Sequence, residues 1–370
     1  MIESRLPPIA PIQVTRAVLP PLDDYLVYLR QIWESKTLTN NGPLLVELEQ
    51  RLTNFLGVDE IWITSSGMSA LLIAIEAESI SGEVITTPFS YVATSNAITW
   101  QKCQPIFADI QQETLTIDPD HVERLITSRT QAILATHVYG MPCDVDRLQS
   151  IAHRYGLKLI YDAAHAFGSE YRGRALASFG DMSCLSFHAT KTFSTGEGGA
   201  VVVNSPHPEL GKRVRHMRSF GHVGDEYRMS GINAKCSELH AALGLCNLPL
   251  VKDTIQERRH ICEIYDVALS DSPIRRVDFK IPDLIHNYAY YPILFPDENT
   301  LLRAQANLST QSIFPRRYFW PALNQLDHLR GADCPIAEQV ASTVLCLPVS
   351  QEMTAELVEL TSDCIKNALA

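Results

Sequence analysis

From about Asp59 to Asn204 the chain alternates short, almost wholly apolar runs with stretches of helical period. The runs are E-I-W-I-T, E-V-I-T-T, P-I-F-A-D-I, Q-A-I-L-A-T-H, L-K-L-I-Y-D, M-S-C-L-S-F and G-A-V-V-V-N. Near-continuous hydrophobicity over four to six residues predicts strands buried on both faces, and the helical stretches between them predict crossover connections. Together they predict an α/β fold on a mainly parallel, seven-stranded sheet flanked by helices.

Ahead of this core, P-L-D-D-Y-L-V-Y-L-R-Q-I-W and P-L-L-V-E-L-E-Q-R-L-T-N-F-L predict two amphipathic helices, the second with proline at its first position. The polar turn T-L-T-N-N-G lies between them. Beyond Ser237 a helical pattern runs to about Ser270 and passes Pro249, which predicts a kink or break there. Y-A-Y-Y-P-I-L-F then restarts a strand, and three helical stretches close the chain. The expected division is a large domain over residues 1–249 and a smaller C-terminal α/β domain over 250–370.

Ligands of open parallel sheets bind beyond the carboxyl ends of the strands, so the residues that follow each run carry the first chemical information. Asp162 ends one run, His165 follows three residues on, and Lys191 sits between two runs, after S-F-H and before G-E-G-G. Pyridoxal phosphate chemistry uses such a set: a lysine holds the cofactor as a Schiff base, and a carboxylate keeps the pyridine nitrogen protonated so that the ring acts as an electron sink. Taken singly, an Asp here is more often a helix cap and a lysine a surface charge. Their combination is what points to the cofactor.

Composition narrows the classes further. The 370 residues, 46% apolar and 20% charged, exclude disorder and suffice for two domains. With 31 Lys and Arg against 42 Asp and Glu, the net charge is −11, and no basic block offers a footprint for DNA or RNA. The nine cysteines form no C-x-x-C pair and no metal-finger spacing, which predicts reduced core thiols. The start, M-I-E-S-R-L-P-P-I-A-P-I, is proline-broken and unlike a signal peptide, and no stretch approaches the roughly 20 apolar residues of a membrane span. A cytoplasmic enzyme is expected. His137, His153, His165 and His188 do not pair at H-x-x-x-H spacing, so metal-dependent hydrolysis gains no support.

Asp162-Ala163-Ala164-His165, Leu185-Ser186-Phe187-His188-Ala189-Thr190-Lys191 and Gly196-Glu197-Gly198-Gly199 resemble the D-A-A-H/Q, F-S-F-H-x-x-K and G-E-G-G segments of the DegT/DnrJ/EryC1/StrS nucleotide-sugar aminotransferases. The likeness extends from T-N-N-G-P-L near residue 40 to L-C-L-P-V-S near residue 345. It implies a fold type I aminotransferase that binds pyridoxal 5'-phosphate and works as a homodimer with shared active sites. On that resemblance Lys191 is the Schiff-base lysine and Asp162 the partner of the pyridine nitrogen. His165 borders the ring near its phenolic oxygen, and Tyr91 stacks on it. The cofactor phosphate is expected at Ser66, Gly67 and Met68, where a strand end and a helix start aim free N–H groups and a helix dipole at one place. Relatives usually carry threonine where Met68 stands, so here only its backbone amide could bind. Ser186 matches the family's phosphate-binding serine. Asn233 matches an asparagine that reaches the phosphate of the other subunit, although the tyrosine and arginine that usually follow are Ala234 and Lys235 here.

The resemblance also implies the reaction: an amino donor, L-glutamate, leaves as 2-oxoglutarate, and a keto sugar then receives the amino group. F-P-R-R-Y-F-W-P, T-L-T-N-N-G-P-L and H-V-Y-G-M-P-C-D look closest to enzymes that convert dTDP-4-keto-6-deoxyglucose to dTDP-4-amino-4,6-dideoxyglucose. Substrate contacts are expected from Arg316, Arg317 and Tyr318 and from Asn40, Asn41 and Gly42. The two arginines suit a diphosphate or the glutamate carboxylate; equally, one could meet ligand and the other a surface salt bridge. Three alternatives stand beside this reading. One is a 3-keto sugar or a UDP- or GDP-linked 4-keto sugar as substrate. Another is a dehydratase, a class that carries histidine where Lys191 stands. The third is a regulatory protein joined to a DNA-binding domain, for which length and charge leave no room.

Overall fold

A computed structural model describes residues 11–369; the proline-broken start, residues 1–10, lies outside them. The apolar runs form β1 (Ile61–Thr64), β2 (Glu83–Thr86), β3 (Gln104–Phe107), β4 (Thr130–Thr136), β5 (Lys158–Asp162), β6 (Met182–Ser186) and β7 (Gly199–Val203). They make one seven-stranded sheet in the order β1-β7-β6-β5-β4-β2-β3. Only β7 runs antiparallel to its neighbours, β1 and β6; the other pairings are parallel.

Successive strand residues face opposite sides, and both sides are covered. Val84, Leu134 and Ile160 pack in the layer that holds the buried residues of α3 (Gly67–Ala77), α4 (Val92–Trp100) and α7 (Pro208–Met217). Their neighbours Ile85, Ile133 and Leu159 pack on the other face with α6 (Val145–Tyr155), which follows the short α5 (Pro119–Arg124). That two-sided burial is why the runs are apolar at consecutive positions.

The two expected N-terminal helices are α1 (Leu22–Ser35) and α2 (Pro43–Leu56). The second begins on Pro43, buries Leu44, Leu45, Leu48, Leu52 and Leu56, and ends at Gly57 in the left-handed conformation (φ 60°). It packs on β1 and on α8 (Glu238–Asn247). The break expected at Pro249 is present: a 3-10 turn over Leu248–Leu250 carries the proline, which cannot donate to the helical ladder, and α9 (Val251–Ala268) starts after it.

The remaining helices are α10 (Glu298–Thr310), α11 (Pro335–Thr343) and α12 (Ala355–Leu369). β8 (Tyr291–Leu294) pairs antiparallel with β9 (Val344–Leu347) and with Arg275–Arg276, and its core is shared with residues of α9, α10 and α12. Ile12–Gln13 pairs in parallel with Ile313–Phe314, so the first described residues pack on the C-terminal part of the chain. Among the described residues no helix is long and apolar enough to cross a membrane. The carboxyl ends of β1, β2, β4, β5 and β6 share one edge of the large sheet, and Tyr290, Arg316, Tyr318 and Phe319 of the C-terminal part reach it.

Candidate active site

A cavity of about 300 Å³ lies at that edge, lined by Asp162, His165, Lys191 and residues from several other segments of the chain. Asp162 stands at the end of β5 and is 5% exposed. Its Oδ1 accepts the Ala164 N–H at 3.0 Å and its Oδ2 accepts the Thr94 hydroxyl at 2.6 Å. Thr94 in turn meets Ser90 at 2.7 Å, and Ser90 meets Thr136 at 3.0 Å. Burial pushes the Asp162 carboxyl above its ordinary range, while Thr94, Ala164 and the charge of Lys191 pull it back. The carboxylate is thus oriented and kept toward its charged form in a place that would otherwise neutralise it.

His165 is buried three residues on. Its Nδ1 accepts the Tyr139 N–H at 3.2 Å, which in the neutral ring puts the proton on Nε2. Burial first, and Lys191 second, hold its pKa well below the ordinary value, so the ring stays neutral at pH 7. It stacks on Phe319 with centroids 5.5 Å apart.

Lys191 follows a tight turn in which its N–H donates to His188 at 2.9 Å. The side chain is half-buried and opens to the cavity. Desolvation lowers the pKa of the amine, against the pull of Asp162, Tyr318 and Tyr91. It donates to the Tyr290 hydroxyl at 3.4 Å.

A polar cradle forms at the start of α3. Ser66 is the N-cap: its Oγ accepts the Ser69 N–H at 3.1 Å, and Ser69 Oγ accepts the Ser66 N–H at 3.0 Å. This capping box engages the Ser66 hydroxyl and leaves the N–H groups of Gly67 and Met68, the first two of the helix, without helical acceptors. Gly67 is required by proximity, since a Cβ there would lie 2.9 Å from Ser186 Cβ. Gly199 is required likewise, at 2.5 Å from the Ser66 carbonyl carbon. The two glycines let the helix start, the end of β6 and the start of β7 meet, so that two amides and the Ser186 hydroxyl line the cavity at the positive end of a helix dipole.

Tyr91, at the N-cap of α4, lines the same cavity and is 59% exposed. Tyr318 and Arg316 line it from the C-terminal part, with the Arg316 guanidinium 5.6 Å from the Tyr318 ring centroid. Arg317 points elsewhere: it donates to Glu298 at 2.7 Å and to the Ser342 carbonyl at 3.0 Å. Of the two arginines one faces the cavity and one makes an ion pair.

Besides Arg317, four residues expected at the ligand do not line this chain's own cavity. Asn40 and Asn41 hold left-handed backbone (φ 64° and 59°), and Asn41 Oδ1 accepts from the buried Arg218 at 3.1 Å. Gly42 lies under the Glu238 carboxylate, which caps α2 by accepting the Leu44 and Leu45 N–H groups at 2.8 and 3.0 Å. Asn233 is exposed, and its amide oxygen accepts from Lys235 at 2.7 Å.

The profile of the DegT/DnrJ/EryC1/StrS aminotransferase family matches residues 23–366. The chain belongs to that family. It is an aminotransferase, and similar proteins of known activity share most of its length. The dTDP-4-amino-4,6-dideoxy-D-glucose transaminase of Shigella dysenteriae is 41% identical over 365 residues, 96% of this chain and 98% of that one. The GDP-perosamine synthase of Vibrio cholerae is 31% identical, covering 92% and 95%. Among solved structures, that of DesI in the presence of its TDP-sugar product superposes with a TM-score of 0.91 at 32% identity, covering 96% of this chain and 92% of that one.

Among the residues of this cavity and its support, sequence reasoning missed Thr94, Tyr290 and Phe319. Thr94 stands one turn after Tyr91 in Y-V-A-T-S-N-A-I, and Tyr290 sits in Y-A-Y-Y-P-I. Nothing local ties either to Asp162 or Lys191, which are 68 and 99 residues away in the chain.

Proposed function

We propose that this protein moves the amino group of L-glutamate to C4 of dTDP-4-keto-6-deoxy-D-glucose, giving dTDP-4-amino-4,6-dideoxy-D-glucose and 2-oxoglutarate, with pyridoxal 5'-phosphate as cofactor. The observation that carries the reading is the convergence, in one cavity, of a half-buried amine, a buried and oriented carboxylate, and a helix start with unengaged amides. These residues fit a phosphate-bearing pyridine. Gly67, Met68 and Ser186 would hold the phosphate. Asp162 would face the ring nitrogen. Lys191 would hold the aldehyde carbon.

When bound, the cofactor supplies a ring that accepts the electron pair left when a proton departs from the donor's α-carbon. The chain's own residues supply the rest. Desolvation favours the neutral Lys191 amine, the form that can take and return that proton. Burial raises the pKa of Asp162, and Thr94 and Ala164, by donating to its charged form, offset part of that rise. Neutral His165, with Nδ1 occupied, keeps Nε2–H as a donor toward a ligand oxygen. Arg316 offers a guanidinium, unpaired among the described residues, to an anionic group of the donor or of the nucleotide.

The dTDP sugar is favoured over UDP- and GDP-linked sugars because the 41% identical relative bears the name of that transaminase. The amino sugar would feed the assembly of a surface glycan. Asn233 and the Asn40–Gly42 turn, which do not line their own cavity, we assign to the partner's site in a cytoplasmic homodimer. Exposed Phe220, next to the bridge between Ser219 and Asn233, supplies apolar surface for such a contact. The test is to incubate the cofactor-loaded protein with L-glutamate and each of the dTDP-, UDP- and GDP-4-keto-6-deoxy sugars and to follow 2-oxoglutarate. Turnover of the dTDP sugar is expected. An inert dTDP sugar beside an active UDP or GDP sugar would overturn the substrate, and no 2-oxoglutarate with any of them would overturn the reaction.

A further inference from the structure

Tyr290 touches the reacting amine of Lys191, yet it belongs to none of the segments that carry the family resemblance. Its hydroxyl lies 3.4 Å from Lys191 Nζ, and Nζ is 5.9 Å from the ring centroid. The second distance is nearly the first plus the reach from ring centre to phenol oxygen. The amine therefore sits off the hydroxyl end of the ring and not over its face, in hydrogen-bonding and not cation-π position. The ring cannot swing away: it packs against His165 at 4.6 Å, against Tyr139 at 5.8 Å and edge-on against Tyr318 at 5.6 Å.

Arg258 of α9 is 2% exposed, with no carboxylate within ion-pair distance among the described residues. Its Nη1 donates at 3.2 Å to the hydroxyl of Thr192, the residue next to Lys191. Burying an unpaired guanidinium is costly, and its field falls on Tyr290, where it pulls the phenol toward ionisation against the upward push of burial.

The geometry points to Tyr290 as a catalytic residue that docks the free Lys191 amine, with Arg258 as a positioning residue acting through Thr192. An amine that donates to the Tyr290 oxygen is held at the cavity with its lone pair unengaged, free to take a proton from a substrate carbon. This rests on the transaminase reading above, and the experiment separates the two.

Full-length wild-type protein, Tyr290→Phe, Arg258→Lys and Arg258→Met are stripped of cofactor. Two measurements follow: the rate at which the visible absorption band appears on adding pyridoxal phosphate, and the affinity for pyridoxine 5'-phosphate, which lacks the aldehyde and reports the phosphate cradle alone. In Tyr290→Phe the band should appear about tenfold more slowly, the size one lost hydrogen bond sets. Its pyridoxine phosphate affinity should stay within about twofold of wild type. In the loaded enzyme kcat should fall by a similar factor with both KM values held, and deuterium at the donor's α-carbon should slow the variant more than the wild type. Arg258→Lys should retain most of the linking rate and Arg258→Met should not. Unchanged linking and kcat in Tyr290→Phe would overturn the proposal, as would equal losses of linking rate and pyridoxine phosphate affinity, which mark a general structural defect. Absence of the band in wild type would instead overturn the cofactor reading.

Discussion

Gly67→Ala tests the cradle at the start of α3 with one added methyl group. Two effects oppose each other. Gly67 is the first residue of a helix and has ordinary helical backbone, so alanine gains about 0.5–1 kcal/mol of helix propensity. The new Cβ, however, would stand 2.9 Å from Ser186 Cβ, 3.3 Å from its Oγ and 3.4 Å from its Cα. Ordinary carbon contacts begin at about 3.5 Å, so the helix start and the end of β6 must separate by roughly 0.5 Å. Neither can yield as a flexible side chain would. Overpacking of this kind costs about 1–3 kcal/mol, enough to cancel the propensity gain in the folded protein. The separation falls on the two amides and the hydroxyl assigned to the phosphate. The expected outcome is a melting temperature of the stripped protein close to wild type and a pyridoxal phosphate affinity weakened about tenfold or more, read by absorption titration. Gly57→Ala is the control: it places a side chain at φ 60° with nothing within 4 Å, so stability should drop by about 1 kcal/mol with cofactor affinity intact. Cofactor affinity in Gly67→Ala equal to wild type would refute the reasoning.

Other outcomes follow from the same geometry. Thr94→Val removes the 2.6 Å hydrogen bond that holds Asp162 toward its charged form. The carboxyl should then titrate higher, moving the acid limb of the kcat profile to higher pH; an unmoved limb would contradict the role given to Thr94. Arg316→Met should raise KM for glutamate or for the keto sugar about tenfold or more. Arg317→Met should leave both KM values alone and lower the melting temperature by about 2–4 °C through loss of its Glu298 and carbonyl partners. Burial holds His137 at about 3 and His286 at about 4, against about 6.5 in the unfolded chain. Below pH 6.5 the unfolded chain therefore binds protons that the folded one refuses, and stability falls. Each histidine should cost about 2 kcal/mol at pH 5 relative to pH 7, checked by urea unfolding of the loaded protein at the two values.

The large sheet was legible because its strands are buried on both faces, which leaves consecutive apolar residues such as Val84-Ile85 and Leu159-Ile160 in the sequence. The helix start at Ser66 was legible because a cap and a glycine mark it. The reversed direction of β7 was not, since Gly199–Val203 would read the same in either direction. Nor was the pairing of Ile12–Gln13 with Ile313–Phe314, about 300 residues on, because two residues carry no periodicity. At the site, Asp162 and Lys191 were found because strand ends and loops flag themselves. Thr94 and Tyr290 were not, because each acts through one long-range hydrogen bond from an element whose local pattern only says helix or strand. Asn41 and Gly42 show the opposite case: a polar turn with a family likeness, which in the single chain is engaged by Arg218 and Glu238.

The central claim is that Lys191 and Asp162 make this cavity a pyridoxal phosphate site. The most direct measurement is borohydride reduction of the full-length protein after loading with pyridoxal phosphate, followed by peptide mass spectrometry. The account expects the pyridoxyl group on the peptide that contains Lys191, and its loss in Lys191→Ala. A pyridoxyl group on another lysine, or on none, would contradict it.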